Sequence, residues 1–120
     1  MARECIHIGV IGYGTVGVGA VQLLESNADW IARRVGSRLV VKKVVDLDWS
    51  RPREYMVRPD QQSTNVNDVL DDPEIDIVIE AMGGVKPARD FVAAALGRRK
   101  SVVTPNKELI AKHGAELLNI

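Results

Sequence analysis

Ile8-Gly9-Val10-Ile11-Gly12-Tyr13-Gly14-Thr15-Val16-Gly17 is the stretch that decides the fold of this 120-residue chain. An apolar run enters G-x-G-x-x-G, and a helical pattern leaves it. The order strand, glycine-rich turn, helix builds a seat for the pyrophosphate of a dinucleotide. Gly12 permits the tight turn, Gly14 lets the backbone approach the phosphates, and Gly17 lets the helix pack closely on the strand. The N–H groups at the helix start, with the positive end of its dipole, face an anion. Tyr13, Gly14, Thr15 and Val16 occupy the helix-opening turn. Their backbone N–H groups and the Thr15 hydroxyl are the candidate pyrophosphate contacts, although Thr15 could also simply cap the helix.

Outward from this stretch, Glu4 to Ile11 reads as a buried strand. Val16, Ala20, Leu23, Leu24 and Ile31 follow helical spacing from Thr15 to about Arg34, with only Asn27 breaking the stripe and Gly36 as a stop. Leu39 to Val45 is a valine-rich strand. Asp46 to Gln62 has little periodicity and predicts a long irregular loop, followed by a short edge strand near Gln62 to Thr64. Asn65 or Asn67 caps a short helix that ends before Pro73. Ile75 to Ile79 is a strand with Glu80 and Ala81 at its carboxyl end, and Gly83-Gly84 is a turn. Pro87 suits the first turn of a helix running to Leu96, with Gly97 at its C′ position. Ser101 to Val103 is a short strand, and Pro105 opens a last helix through Leu109, Ile110 and Leu117.

Strands alternating with helices imply β-α-β units, and right-handed crossovers give an α/β, Rossmann-type doubly wound parallel sheet in order 3-2-1-4-5. Ligands in such folds sit beyond the carboxyl ends of the strands. Four segments are therefore expected at one crevice: 12–17, 46–48, 81–84 and 104–107.

The length predicts one domain, 1–120. Sixteen basic residues balance sixteen acidic ones, so no global field favours nucleic acid or an anionic membrane. Cys5 is the single cysteine and reads as a small core residue. His7 and His113 lack neighbours at metal-ligand spacing. The N-terminus lacks the apolar run of a signal peptide, and no segment approaches ~18 continuous apolar residues. These features predict a soluble, cytoplasmic domain.

Asp46 ends the second strand, where an acidic residue normally takes the adenosine ribose hydroxyls, although it lies well beyond the usual ~20-residue spacing. Asp48 is a rival for that role. By position, Ala81, Met82 and Gly83 lie along the nicotinamide ribose and ring of a bound dinucleotide. Glu80 could orient a ribose or a lysine. Lys107 falls in the first turn of a helix, where the dipole disfavours a cation by ~0.3–1 kcal/mol. If partly buried, its amine would have a lowered pKa.

Three blocks, 9–17, 71–80 and Val103-Thr104-Pro105-Asn106-Lys107, together with Gly83-Gly84, resemble the N-terminal NAD(P)-binding domain of homoserine dehydrogenase. The last block is the most specific, because a generic dinucleotide fold does not require Thr-x-Asn-Lys after a strand. The resemblance implies interconversion of L-homoserine and L-aspartate 4-semialdehyde by hydride transfer to or from a nicotinamide, in threonine and methionine biosynthesis. It places Lys107 at the reacting group as proton carrier or substrate-binding charge, with Thr104 and Asn106 flanking the nicotinamide. Many members carry an arginine where Leu47 stands, which would suit the 2′-phosphate of NADP. Its absence beside Asp46 favours NAD, although Arg51 and Arg53 could fold back and reverse this. The family continues into a second domain with most of the substrate pocket and dimer contacts. The full enzyme is thus expected to be a homo-oligomer, and a chain ending at Ile120 to bind cofactor weakly with little turnover. A non-catalytic NAD(H) sensor and a related amino-acid pathway dehydrogenase are the alternative readings.

Overall fold

A computed structural model describes residues 5–120. Glu4, the expected start of the first strand, lies outside the described residues. Five parallel strands form one sheet in the order β3-β2-β1-β4-β5, as the sequence pattern requires. They are β1 (Cys5–Ile11), β2 (Arg38–Val45), β3 (Gln62–Ser63), β4 (Ile75–Glu80) and β5 (Ser101–Val103). The helices are α1 (Thr15–Ser26), α2 (Ala28–Val35), α3 (Asn67–Leu70), α4 (Lys86–Gly97) and α5 (Lys107–Leu118).

Strand order reverses at β1, so the crevice opens between the carboxyl ends of β1 and β4. Side chains alternate across the sheet and create two apolar layers. Val10 and Val44 pack beneath Val18 and Val21 of α1, while Ile11 and Val45 pack with Val69 of α3 and Ala95 of α4. The central strands are therefore apolar on both faces, as parallel strands covered by helices must be. Cys5, expected in the core, is half-buried at the start of β1.

The single long helix expected from Thr15 to Arg34 is two helices. Asn27 ends α1 by donating both its backbone N–H (3.2 Å) and its side-chain Nδ2 (2.9 Å) to the Leu23 carbonyl. An asparagine side chain competes with the next helical turn for that acceptor. Gly36 closes α2 in a left-handed conformation (φ 87°), as expected. Gly97 does not act as C′. It remains helical, and Arg99 takes the left-handed position (φ 62°). The Arg99 N–H then bonds Leu96 and the Lys100 N–H bonds Ala95, the paired closure of a Schellman motif.

The irregular segment after β2 is fastened to the body. Trp49 Nε1 donates to the Ser63 carbonyl at 2.8 Å, Tyr55 Oη donates to Glu25 at 2.6 Å, and Val57 is buried. One 3₁₀ turn, Pro59–Gln61, leads into β3. Neither asparagine is the N-cap of α3: Val66 holds that position with no side-chain cap, and Asn65, one residue before it, accepts the Asn67 N–H at Oδ1.

Candidate dinucleotide site

The glycine-rich turn is built by close contact. Gly12 has φ 102°, and a β-carbon there would stand 2.8 Å from the Ala81 carbonyl. A β-carbon on Gly17 would stand 2.2 Å from the Gly12 oxygen, so only glycine lets α1 begin so close to β1. Gly14 differs, because a β-carbon there would meet no atom within 4 Å. Gly14 is the N-cap of α1 and supplies no side-chain cap. Thr15 is already helical, and its hydroxyl does not cap the helix. The first turn thus keeps backbone donors available, with open space where the second glycine lacks a side chain.

A cleft of about 550 Å³ opens beside this turn, lined by Gly12, Gly14, Asp46, Leu47, Ala81 and Met82 among others. Leu47 and Met82 expose apolar side chains at its rim. Two backbone bonds hold the strand ends together beneath it: the Gly12 N–H to Val45 and the Ala81 N–H to Ile11, each 2.8 Å.

Tyr13 contributes only its backbone to this site. Its side chain is buried with the ring 5.4 Å from Trp49, and its hydroxyl donates to the Tyr55 carbonyl. Burial, reinforced by the charge of Glu25, pushes the Tyr13 phenol up to about 12.

Asp46 is not a free carboxylate. Its Oδ1 accepts the Leu47 N–H at 2.8 Å, and its Oδ2 accepts from Arg53. The Arg53 side chain is 6% exposed, lies 4.8 Å over the Trp49 ring, and also donates to the carbonyls of Tyr13, Asp48 and Arg51. Arg51 is different. Its guanidinium is largely exposed, 3.7 Å from Asp46, at the cleft wall. Asp48 is held below the usual carboxylate range by the hydroxyl and N–H of Ser50.

The fourth expected segment lines a neighbouring hollow rather than the cleft itself. Thr104, Asn106 and Lys107 border a depression of about 490 Å³ with Pro105, Ile110 and Ala111. Asn106, not Thr104, caps α5, accepting the Leu109 N–H at 3.0 Å. Lys107 is the first residue of that helix and is exposed, not partly buried. Two side-chain bonds join this hollow to the turn after β4: Thr104 Oγ1 donates to Glu80 and Asn106 Nδ2 donates to the Gly84 carbonyl. Gly83 and Gly84 both have positive φ in that turn. Arg53 folds back on Asp46, as the sequence allowed, whereas Glu80 holds neither a ribose nor a lysine but the Met82 N–H and the Thr104 hydroxyl, partners brought together only by the fold.

A family model described as homoserine dehydrogenase, NAD binding domain, matches residues 12–120. This chain belongs to that family. The Bacillus subtilis homoserine dehydrogenase is 40% identical over 96% of the chain, which spans 27% of that relative. The Corynebacterium glutamicum homoserine dehydrogenase is 39% identical over 95% of the chain and is covered for 25% of its length. The Thiobacillus denitrificans homoserine dehydrogenase structure superposes with a TM-score of 0.89 at 42% identity, covering 97% of this chain and 27% of that one. A Staphylococcus aureus homoserine dehydrogenase structure gives 0.87 at 34% identity, covering 96% and 29%. The chain thus spans about a quarter of the length of the curated relatives it matches, and it corresponds to the NAD-binding part of the homoserine dehydrogenase family. Among the described residues, no helix is long and apolar enough to cross a membrane.

Proposed function

We propose that this domain holds NAD(P) for an oxidoreductase that interconverts L-homoserine and L-aspartate 4-semialdehyde, in cytoplasmic threonine and methionine biosynthesis. The observation that carries the reading is the cradle at α1. Gly17 seats the helix against the Gly12 carbonyl, and Gly14 leaves open space above uncapped backbone donors. A pyrophosphate fits that donor set and that gap. Tyr13 and Gly14, through their backbone, and Thr15, Val16 and Gly17 would hold it. Leu47 would face the adenosine end, and Ala81, Met82 and Gly83 the nicotinamide end, with Thr104 and Asn106 on its far side.

When bound, the nicotinamide supplies or receives the hydride. Lys107 would hold or move the hydroxyl proton of homoserine from the exposed start of α5, in the hollow next to the cleft. Such a proton carrier is needed because hydride loss from an alcohol carbon leaves a proton to be taken from its oxygen. A further domain would supply most of the substrate pocket and the contacts to a second copy.

The adenosine end supports both cofactors. Arg53 already neutralises Asp46, and Arg51 presents an exposed guanidinium beside it. This removes the free carboxylate on which a preference for NAD would rest. Isothermal titration of the chain with NAD⁺, NADP⁺ and ADP-ribose tests the reading. Heat with all three supports it, and a folded sample that binds none of them overturns it.

A further inference from the structure

Glu80 ends β4 with its side chain 1% exposed, and it pairs with no cation among the described residues. Both oxygens accept hydrogen bonds. Oε2 takes the Met82 N–H at 2.8 Å, and Oε1 takes the Thr104 hydroxyl at 2.6 Å. Thr104 Oγ1 in turn accepts the Asn106 N–H at 3.0 Å, which leaves its proton free to donate to Glu80. Both neighbours act as donors, the arrangement that suits an ionised carboxylate.

A buried charge without a counter-charge is a poor stabiliser. A neutral amide could bridge the same two turns by donating to Thr104 and accepting from Met82. The negative charge therefore needs a use other than holding the fold. The two turns it joins are those assigned above to the nicotinamide end.

We propose that the Glu80 carboxylate is the electrostatic counterpart of the oxidised nicotinamide ring and favours the oxidised dinucleotide over the reduced one. The inference rests on the proposed placement of the nicotinamide between these turns. The oxidised ring is cationic and the reduced ring is neutral, so a fixed buried anion discriminates between them. Its burial shields it from salt screening. Glu80 acts through this field and by positioning Met82 and Thr104.

The test is isothermal titration of the unaltered chain and of Glu80→Gln with NAD⁺, NADH and ADP-ribose. Glu80→Gln is expected to lower the ratio of NAD⁺ to NADH affinity by roughly ten-fold, the order for one charge over about 10 Å at a protein-like dielectric. ADP-ribose, which lacks the nicotinamide, is expected to bind both proteins alike. Equal weakening of NAD⁺ and NADH would leave Glu80 a merely structural role and overturn the inference. No ADP-ribose binding by the unaltered chain would instead overturn the dinucleotide reading itself. Should Glu80→Gln not fold, the unaltered chain decides: NAD⁺ binding more tightly than NADH supports the inference, and NADH binding as tightly as NAD⁺ overturns it.

Discussion

Arg53 lies over the Trp49 ring, 4.8 Å from its centroid, with Asp46 against its outer edge. This contact closes the irregular segment after β2 onto the glycine-rich turn, because the same guanidinium donates to the Tyr13 carbonyl at 3.3 Å. Arg53→Met should therefore cost about 3 kcal/mol, most of it from taking the buried guanidinium away from Asp46, which keeps only the exposed Arg51 beside it. Urea denaturation measures the loss. The double change Arg53→Met with Asp46→Asn should return at least about 1 kcal/mol of it, and no recovery would mean that the ring contact carries the energy.

The two glycines that flank the start of α1 should respond in opposite ways. Gly17→Ala places a methyl group 2.2 Å from the Gly12 oxygen and should destabilise the fold by about 2 kcal/mol. Gly14→Ala meets nothing in the protein and should change stability by less than about 0.5 kcal/mol. It should nevertheless weaken ADP-ribose binding, since the methyl group enters the space proposed for the pyrophosphate. Thermal denaturation paired with calorimetric titration separates the two effects.

Arg51→Ala should reduce affinity for NADP⁺ by about ten-fold while leaving NAD⁺ within two-fold, an effect of the order expected for one exposed charge-assisted contact. Equal effects on both dinucleotides would remove Arg51 from cofactor choice.

Alkaline pH should loosen the segment that Tyr13 anchors. The phenol titrates near 12 in the folded chain against about 10 when unfolded. Below pH 10 both states keep the proton, so the stabilisation is complete there. Between pH 10 and 12 only the unfolded state loses it, and stability falls by about 3 kcal/mol. Tyr13→Phe should flatten this part of the stability–pH curve, measured by denaturant titration across that window.

Lys107→Ala belongs in a full-length homoserine dehydrogenase that carries this domain. Turnover should fall by 10² or more with dinucleotide affinity little changed, in keeping with the loss of a proton carrier. Turnover near that of the unaltered enzyme would exclude the role.

The sheet was legible because its signals are local. Valine-rich runs, glycine turns and proline starts mark each element within a few residues, and handedness rules then order the strands. The break at Asn27 was hidden, since Leu23, Leu24 and Ile31 continue the apolar stripe across it and only the bond from Asn27 to Leu23 reveals the end. Gly97 misled for a related reason. A glycine near a helix end is the usual left-handed residue, but here Arg99 adopts that conformation two positions on. In the site, the glycine motif could be read directly. The partners of Arg53 and Glu80 could not, although Glu80 closes one of the blocks that carry the family resemblance. Thr104 reaches Glu80 across 24 residues of sequence, through a bond that exists only once β4 and β5 are neighbours.

Glu80 gives the crevice a direction. The charge runs from the exposed guanidinium of Arg51 in its wall, past the positive start of α1, to one buried carboxylate behind Ala81 and Met82 at the end of β4. A dinucleotide with a central pyrophosphate and a cationic ring at one end would match this sequence only one way round. Turned about, it would set that cation beside Arg51 and away from Glu80. On the proposed placement, the polarity of a bound dinucleotide would be set by the field of the domain before any shape contact is made.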